Sequence, residues 1–197
     1  MPDHAAAVLE LALSVAPSAG RTRVVAVDGP SGAGKSSLVD AVPALLEAAA
    51  PGTSVAVVHL DDVYPGWNGL EATPPLITRW LLEPLAAGEP AGYRRYDWAA
   101  ERYAGRVAVP AVDVLLLDGV GSGARVCSPY LAALVWVEAP PAERYRRAMV
   151  RDGEVYRPYW HRWAQQEAEF HAADRTRERA DLMVSTESSE DFPSHGS

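Results

Sequence analysis

The chain has 197 residues, 48% of them hydrophobic, and a formal net charge of −8 at pH 7. This length fits one domain with a substantial core, and the negative charge argues against broad nucleic-acid binding. Its apolar runs stop well short of the roughly 18 residues that a membrane span needs, and a lone cysteine, Cys127, excludes an internal disulfide. We therefore expect a cytoplasmic protein with no membrane or nucleic-acid partner, and the sequence leaves a homo-oligomer open.

The first part of the chain has a helix pattern, a strand pattern, a glycine-rich segment and a second helix pattern. Residues 5–15 are apolar-rich but lack the basic start of a signal peptide, so we interpret them as a helix. Residues 23–28 form a short apolar run that predicts a buried parallel strand. Residues 36–50 predict the helix that follows, in which Pro43 should cause a kink or an early end.

The rest of the chain alternates between strand and helix patterns. Further strands are predicted over residues 54–60, 112–117, 133–137 and 182–184, and helices over residues 76–87, 140–150 and 156–179. Between them we predict a loop over residues 66–75, an irregular segment over residues 93–98 and one arm of a small hairpin over residues 106–109. We expect one domain over residues 1–185, followed by a disordered acidic tail over residues 186–197.

Apolar strands that alternate with helices predict an α/β fold, in which helices cover both faces of a five-stranded parallel sheet. In such sheets, ligands bind outside the carboxyl ends of the strands. The glycine-rich segment follows one predicted strand, Asp61 and Asp62 follow another, and Asp118 ends a third. The sequence therefore predicts a functional site at this one edge of the sheet.

The glycine-rich segment at residues 29–36 has the sequence GPSGAGKS, which matches a phosphate-binding loop in its expected place between strand and helix. Lys35 is the only lysine of the chain, which favours a role that a compact ammonium fills better than a guanidinium, at a β- or γ-phosphate. A glycine-rich turn formed by chance is the alternative. The residues predicted to bind nucleotide through their N–H groups or side chains are Gly29, Ser31, Gly32, Ala33, Gly34, Lys35, Ser36 and Ser37.

Three carboxylates and one hydroxyl are candidates for the chemistry at this edge. The Ser36 hydroxyl is placed to ligate Mg²⁺, and Asp118 is placed to contact the metal shell directly or through water. Asp118 could instead be a turn residue before Gly119. Of Asp61 and Asp62, one should face the site, where it could accept a proton from a hydroxyl. The alternative is that both carboxylates cap the next turn.

Five segments together resemble the uridine kinase, phosphoribulokinase and pantothenate kinase group of P-loop kinases. They are GPSGAGKSS, LDDVYP, YDW, VLLLDGV and VRD, and their order and spacing cover residues 23 to 185. The resemblance implies a three-layer P-loop NTPase fold with a small hairpin and a lid insertion. It also implies ATP as phosphoryl donor, Mg²⁺ as cofactor and a small-molecule hydroxyl as acceptor.

The same resemblance implies roles for particular residues. Asp61 is the catalytic base and part of the acceptor site, assisted by Lys35, Arg147 and Arg151. Asp118 and Ser36 hold the metal, and Arg144 contacts the nucleotide. The residues implied in acceptor binding besides Asp61 are Tyr64, Tyr96, Trp98 and Arg157.

The chain departs from this group around the acceptor. Val63 stands where the family has an aromatic residue, Asp118 is shorter than the usual glutamate, and residues 65–70 lack the F-D-x-P segment that holds the ribose in uridine kinases. A nucleoside is favoured by the YDW segment and by nearby aromatic residues, whereas a pantothenate-like or sugar hydroxyl remains an alternative.

Two further classes also stay open, namely a nucleotide-dependent switch or NTPase, and a non-catalytic binding module. The aspartate at the base position, Asp61, favours a kinase, and so do the arginines that match the family's lid, Arg144, Arg147, Arg151 and Arg157. The chain has no guanine-specifying N-K-x-D segment. ATP and GTP are otherwise not distinguished. Aromatic residues at positions 156, 159, 160 and 163 share one helix face and are expected to pack in the core. Stacking on a flat base or ring of a ligand is the alternative. We expect His59 and His161 to be structural and His171 to lie at the surface.

Overall fold

A computed structural model describes residues 2–186, so most of the predicted acidic tail lies outside the described residues. The strands are β1 (Arg23–Asp28), β2 (Val55–His59), β3 (Ala91–Asp97), β4 (Arg102–Val109), β5 (Val114–Asp118), β6 (Ala133–Glu138) and β7 (Leu182–Ser185). Five of them form a sheet in the order β2-β5-β1-β6-β7, and every neighbouring pair is parallel. This confirms the predicted α/β fold with five parallel strands.

The helices lie on both faces of this sheet. They are α1 (Pro2–Ser14), α2 (Lys35–Ala49), α3 (Thr73–Ile77), α4 (Glu83–Ala87), α5 (Pro141–Tyr156) and α6 (Trp160–Asp174). A π-helical turn, Thr78–Leu82, joins α3 to α4. Within residues 2–186, no helix combines the length and hydropathy that a membrane crossing would need.

Side-chain alternation along β5 separates two hydrophobic cores. Val114 and Leu116 pack with the apolar residues of α1 and α2 on one face. Leu115 and Leu117 pack on the other face, with residues of α3, α6 and the β3–β4 hairpin. All four side chains are fully buried, and each contributes roughly 1.5–3 kcal/mol of hydrophobic stabilisation. The result is a three-layer arrangement that holds the sheet rigidly between helices.

The register of the sheet brings the polar strand ends together. Asp118 pairs with His59 on β2 and with Val27 on β1. The ends of these three adjacent strands are therefore level with one another. The glycine-rich loop after β1 and the turn after β2 consequently flank Asp118 at the carboxyl edge.

Several predicted boundaries need correction. Helix α2 runs unbroken through Pro43, so the predicted early end is wrong, because Val42 and Leu46 on either side of Pro43 remain buried against the sheet. Residues 93–98 are not irregular. Most of them belong to β3, which pairs with β4 as an antiparallel hairpin with a shift of register between Arg94 and Tyr96. Pairing across the hairpin supplies order that the local sequence does not show.

Helix α5 extends past the predicted end at residue 150, and its course changes at Gly153. Gly153 has φ 52° and ψ −127° inside the helical span, a backbone conformation that is essentially restricted to glycine. The structure therefore continues the helix to Tyr156 by way of a kink. The predicted helix over residues 156–179 is shorter, because α6 ends at Asp174.

Asp28, the last residue of β1, is a fully buried carboxylate that ties the loops after β1 and β5 to helix α6. Its Oδ1 accepts the N–H groups of Gly29 at 2.6 Å and Gly121 at 3.0 Å, and its Oδ2 accepts that of Gly123 at 2.9 Å. His171 Nε2 lies 3.1 Å from Oδ1, and the His171 side chain is only 10% exposed. The predicted surface position of His171 is therefore wrong. Burial alone would raise the pKa of Asp28, but hydrogen bonds and the charge of His171 outweigh it and lower that pKa.

We expect Asp28→Asn to lower the free energy of unfolding by about 2–4 kcal/mol, because the new amide points N–H groups at backbone N–H donors. Urea unfolding at neutral pH checks this, with the exposed Glu169→Gln as a control within about 0.5 kcal/mol of wild type. Because folding lowers the pKa of Asp28, its contribution is present above its ordinary pKa of 3.8 and is lost as pH falls further. A stability difference that stays constant through this acid range would contradict the assignment.

Candidate functional site

An open cleft of about 950 Å³ lies at the carboxyl edge of the sheet. Glycine-loop residues, the ends of β2 and β5, and parts of α5 and α6 form its walls. The predicted site residues that line it are Ser31, Gly32, Gly34, Lys35, Ser36, Ser37, Asp61, Tyr64, Trp98, Asp118, Arg147 and Arg151. Five other predicted residues do not line it, namely Gly29, Ala33, Tyr96, Arg144 and Arg157.

The glycine-rich loop has a backbone shape that side chains would prevent. Gly29 has φ 136° and Gly32 has φ 77°. A Cβ at Gly29 would collide with the carbonyl oxygen of Val137, and one at Gly32 with that of Arg144. The loop is therefore pressed against β6 and α5. Its N–H groups lead directly into α2, whose positive end favours an anion.

Lys35 is the first residue of α2 and is only 7% exposed. Its ammonium donates to the carbonyl oxygens of Gly29 at 2.7 Å and Pro30 at 3.1 Å. The side chain thus folds back across the start of the loop. In this position a single ammonium both holds the loop closed and lies in the cleft, where a phosphate would meet it.

Asp118 and Ser36 form the candidate metal site. Ser36 Oγ donates to Asp118 Oδ2 at 2.7 Å, and His59 Nδ1 lies 2.7 Å from the same oxygen. The other oxygen of Asp118, Oδ1, is buried and has no hydrogen-bond partner among the described residues. A buried carboxylate oxygen without a donor is costly unless a cation or its bound water faces it.

These donors fit Mg²⁺, which typically takes one or two carboxylates together with substrate phosphates and waters. Among residues 2–186, no cluster of three or more acidic, histidine or cysteine side chains offers a complete cage for a metal ion. Ser36 and Asp118 would therefore hold only part of the shell. His59, expected to be structural, lines the cleft and orients Asp118.

Asp61 and Asp62 diverge after β2. They lie in a 3-10 turn, Leu60–Asp62, so the turn rather than strand alternation separates them. Asp61 lines the cleft, whereas Asp62 accepts hydrogen bonds from Tyr93 Oη at 3.2 Å and from Arg95 Nε at 3.1 Å. One carboxylate is thus available to a ligand and its neighbour is held by the hairpin.

The cleft changes the acidity of Asp61. Its side chain is open to water on the cleft side, while the surrounding walls limit its solvation. This desolvation raises the pKa of Asp61, and the nearby charge of Asp118 raises it further. Arg151 and Lys35 act in the opposite direction without reversing the shift. A carboxyl group with a raised pKa is a better proton acceptor once it is ionised.

Aromatic side chains form the wall beyond Asp61. Trp67 stacks on Tyr159, with ring centroids 4.5 Å apart, and on Tyr156 at 5.1 Å, and it tilts against Trp98 at 4.8 Å. Trp98 also donates its indole N–H to the backbone oxygen of Asp61 at 3.0 Å. The expectation that the aromatic residues at positions 156, 159, 160 and 163 pack in the core is therefore incomplete, because Tyr156 and Trp163 also line the cleft.

Two of the tyrosines predicted to bind the acceptor have other partners. Tyr64 is buried, and its hydroxyl donates to the carbonyl oxygen of Val120 at 3.0 Å. Tyr96 packs edge-on against Trp98 and Tyr103 and does not line the cleft. Tyr64 can therefore offer a ring surface but no free hydroxyl, and Tyr96 supports Trp98 from behind.

The four predicted lid arginines have different surroundings. Arg147 donates to both oxygens of Thr186, at 2.8 and 2.6 Å, and to Glu143 at 2.6 Å. Arg151 lines the cleft and pairs with its neighbour Asp152 at 2.7 Å. Arg147 is thus anchored to Thr186, the residue after β7, and to Glu143. The contact between Arg151 and Asp152 joins adjacent residues, and rotation of their side chains can break it.

The side chains of Arg144 and Arg157 contact other protein groups and do not line the cleft. Arg144 packs its guanidinium toward the loop, with Nη1 3.4 Å from the oxygen of Ser31 and 3.7 Å from Glu167. Arg157 follows the kink at Gly153 and pairs with Glu154 at 3.1 Å on the surface. Each guanidinium therefore contacts protein groups and does not line the cleft.

Sequence reasoning missed three residues at this site, namely His59, Trp163 and Glu167. His59 gave only a weak signal, by lying at the end of a strand. Glu167 gave a clearer one, because it lies four positions after Trp163 on the apolar face of α6 and is only 2% exposed. A carboxylate on a buried helix face is expected to have a specific partner.

The sheet order and the glycine loop define a P-loop NTPase fold. The structure is similar to that of a possible uridine kinase from Bacillus stearothermophilus, with a TM-score of 0.68 and 20% sequence identity over 93% of this chain and 98% of that one. It is also similar to a provisionally assigned fructose transport system kinase from Silicibacter sp. TM1040, with a TM-score of 0.57 and 21% identity over 91% of this chain and 98% of that one. These likenesses establish the fold.

The sequence comparisons cover less of the chain. Residues 1–69 match the family of the methylmalonyl Co-A mutase-associated GTPase MeaB. This range includes β1, the glycine loop, α2 and β2, which are the parts that P-loop proteins share. No protein of curated function matches the chain. Proteins with this fold and loop generally bind nucleotide and Mg²⁺.

Proposed function

We propose that the protein is an ATP-dependent kinase that transfers the γ-phosphoryl group to a hydroxyl of a small molecule, with a nucleoside as the leading acceptor. The observation that carries this proposal is the position of Asp61. It is a carboxylate open to the same cleft as the phosphate loop, and it is not engaged with the candidate metal ligands Ser36 and Asp118. A simple NTPase does not require a second carboxylate facing an aromatic wall. Two fold relatives described as kinases of small molecules add support.

The chain's own residues would divide the work as follows. The loop N–H groups from Gly32 to Ser36 bind the β- and γ-phosphates, and Lys35 neutralises charge on the oxygens between them. Bound Mg²⁺, held in part by Ser36 and Asp118, supplies Lewis-acid stabilisation of phosphate charge. Asp61 orients the acceptor hydroxyl and accepts its proton as the new P–O bond forms and the bond to ADP breaks.

Arg151 is the lid arginine best placed to reach the transferring group, because Arg147 is held by Thr186 and Glu143. We expect Arg151→Ala to lower kcat about 10²- to 10³-fold through loss of charge stabilisation, with little change in the melting temperature. Arg147→Ala should instead lower the free energy of unfolding by about 1–3 kcal/mol, because buried acceptors lose their donor. Steady-state kinetics beside urea unfolding of both variants checks this division. Equal kinetic losses with unchanged stability would contradict it.

A GTPase or nucleotide-dependent switch is the second candidate, and the match of residues 1–69 to a GTPase family favours it. The two functions differ in their need for an acceptor. We therefore propose to measure ADP and GDP release with and without a panel of nucleosides, pantothenate and sugars. Acceptor-dependent ADP release supports the kinase. Release of GDP at the same rate with and without every acceptor would support the GTPase and overturn the kinase.

A further inference from the structure

Two residues of α6, Trp163 and Glu167, contact the phosphate loop, although they lie more than 130 positions after it in the sequence. Glu167 Oε1 accepts the backbone N–H of Ser31 at 2.9 Å. The same oxygen accepts the indole N–H of Trp163 at 2.7 Å, and that indole also lies 3.0 Å from Ser31 Oγ. Ser31 is thus held through both its backbone and its side chain, just before the N–H groups proposed to bind phosphate.

Packing alone does not explain an acidic residue at this position. Glu167 is 2% exposed, and its second oxygen, Oε2, has no hydrogen-bond partner among the described residues. Its nearest cation is Arg144, whose Nη1 lies 3.7 Å away. An apolar side chain of similar volume is often as stable as a buried ion pair, or more stable. The hydrogen bond to the loop is therefore the contact that a glutamate makes here and a leucine would not.

Trp163 also connects the loop to the acceptor side of the cleft. Its ring contacts Tyr64 edge-on, with centroids 4.9 Å apart, and contacts Trp67 at 6.3 Å. Tyr64 lies three residues after Asp61 and is fixed by its hydrogen bond to Val120. One indole therefore touches both the phosphate loop and the wall that carries the proposed base.

We propose that Glu167 and Trp163 are positioning residues that fix the phosphate loop through Ser31 and set its placement relative to the acceptor wall. The proposal rests on the proposed function for the acceptor side, whereas its effect on the loop concerns nucleotide binding alone. It requires the geometry of the hydrogen bonds rather than the charge of Glu167. A glutamine, whose amide oxygen can accept both N–H groups, should therefore replace the glutamate.

The test compares Glu167→Leu, Glu167→Gln and Trp163→Phe with wild type. Affinity for Mg²⁺ and the ATP analogue AMP-PNP is measured by calorimetry, and the KM values of ATP and acceptor are measured with kcat. We expect Glu167→Leu to weaken nucleotide binding about tenfold or more, since a buried N–H loses its acceptor. Glu167→Gln should stay within about threefold of wild type. Trp163→Phe should raise the KM of ATP about 3- to 10-fold and leave that of the acceptor unchanged, because the ring contact survives.

The exposed Glu169→Gln on the same helix is the matched control, and a thermal melt of each variant reports folding. If Glu167→Leu does not fold, Glu167→Gln and Trp163→Phe still decide the question. Unchanged nucleotide affinity in Glu167→Leu, a Glu167→Gln variant that binds tenfold more weakly than wild type, or unchanged ATP KM in Trp163→Phe would each overturn the proposal. Failure of the proposed kinase function would give a different result. ADP release would then not depend on an acceptor, whereas the differences in nucleotide affinity among these variants would remain.

Discussion

Replacing Asp61 with asparagine should reduce phosphoryl transfer about 10²- to 10⁴-fold, which is the usual contribution of a general base. The amide preserves the shape of the side chain but accepts a proton poorly. Nucleotide binding should be retained, because Asp61 contacts neither the phosphate loop nor Ser36 or Asp118 by hydrogen bonds in the structure. Coupled ADP release with the best acceptor of the panel measures the first effect, and calorimetry with AMP-PNP measures the second.

The adjacent carboxylate provides a close control. Asp62 accepts hydrogen bonds from Tyr93 and Arg95 and does not line the cleft, so Asp62→Asn should keep kcat within about threefold of wild type. The pKa of Asp61 is raised by desolvation and by Asp118, so kcat/KM of the wild type should decline in acid at a pH above the ordinary aspartate value of 3.8. Full activity in Asp61→Asn would refute its role as the base.

Replacing Lys35 with arginine should impair the protein nearly as much as replacing it with alanine. The ammonium fits between the carbonyl oxygens of Gly29 and Pro30, at 2.7 and 3.1 Å, in a nearly buried position. A guanidinium is planar and larger, and it cannot act as a compact point charge there. We expect both variants to lose about 10²-fold or more in kcat, together with weaker binding of Mg²⁺ and AMP-PNP.

The contrast with other cations sharpens this prediction. All cationic side chains except Lys35 are arginine, which by itself would fit a compositional preference. The exposed Arg162→Lys should therefore leave activity and stability unchanged, showing that arginine and lysine exchange freely away from the loop. Should Lys35→Arg retain wild-type kcat and nucleotide affinity, the compositional explanation would be sufficient and the special role of Lys35 would be lost.

These two predictions concern different halves of the cleft, namely the nucleotide side and the acceptor side. Lys35 acts on the nucleotide, so its loss should be visible in binding without any acceptor. Asp61 acts on the acceptor, so its loss should be visible only in transfer. If the Lys35 and Asp61 variants both failed to bind nucleotide, the two residues would belong to one shared site rather than to two separate halves of the cleft.

The sequence by itself determined the parts of this protein that depend on neighbouring residues. An apolar strand, a glycine loop with one lysine and a helix follow one another over residues 23–50, and local periodicity and turn chemistry are sufficient to predict them. The five parallel strands followed from the same patterns. The strand ending in Asp118 and the pair Asp61 and Asp62 could likewise be placed at one edge, because the carboxyl ends of parallel strands coincide there.

The tertiary structure decided everything that depends on contacts between distant segments. His171 lies 143 positions after Asp28, and Glu167 lies 136 positions after Ser31, so no local pattern predicts either contact. The same holds for Asp62, whose side chain accepts hydrogen bonds from Tyr93 and Arg95 of the hairpin. A buried polar group must find a partner wherever the fold supplies one, and only the packing of α6 against the loop after β1 determines which partner that is.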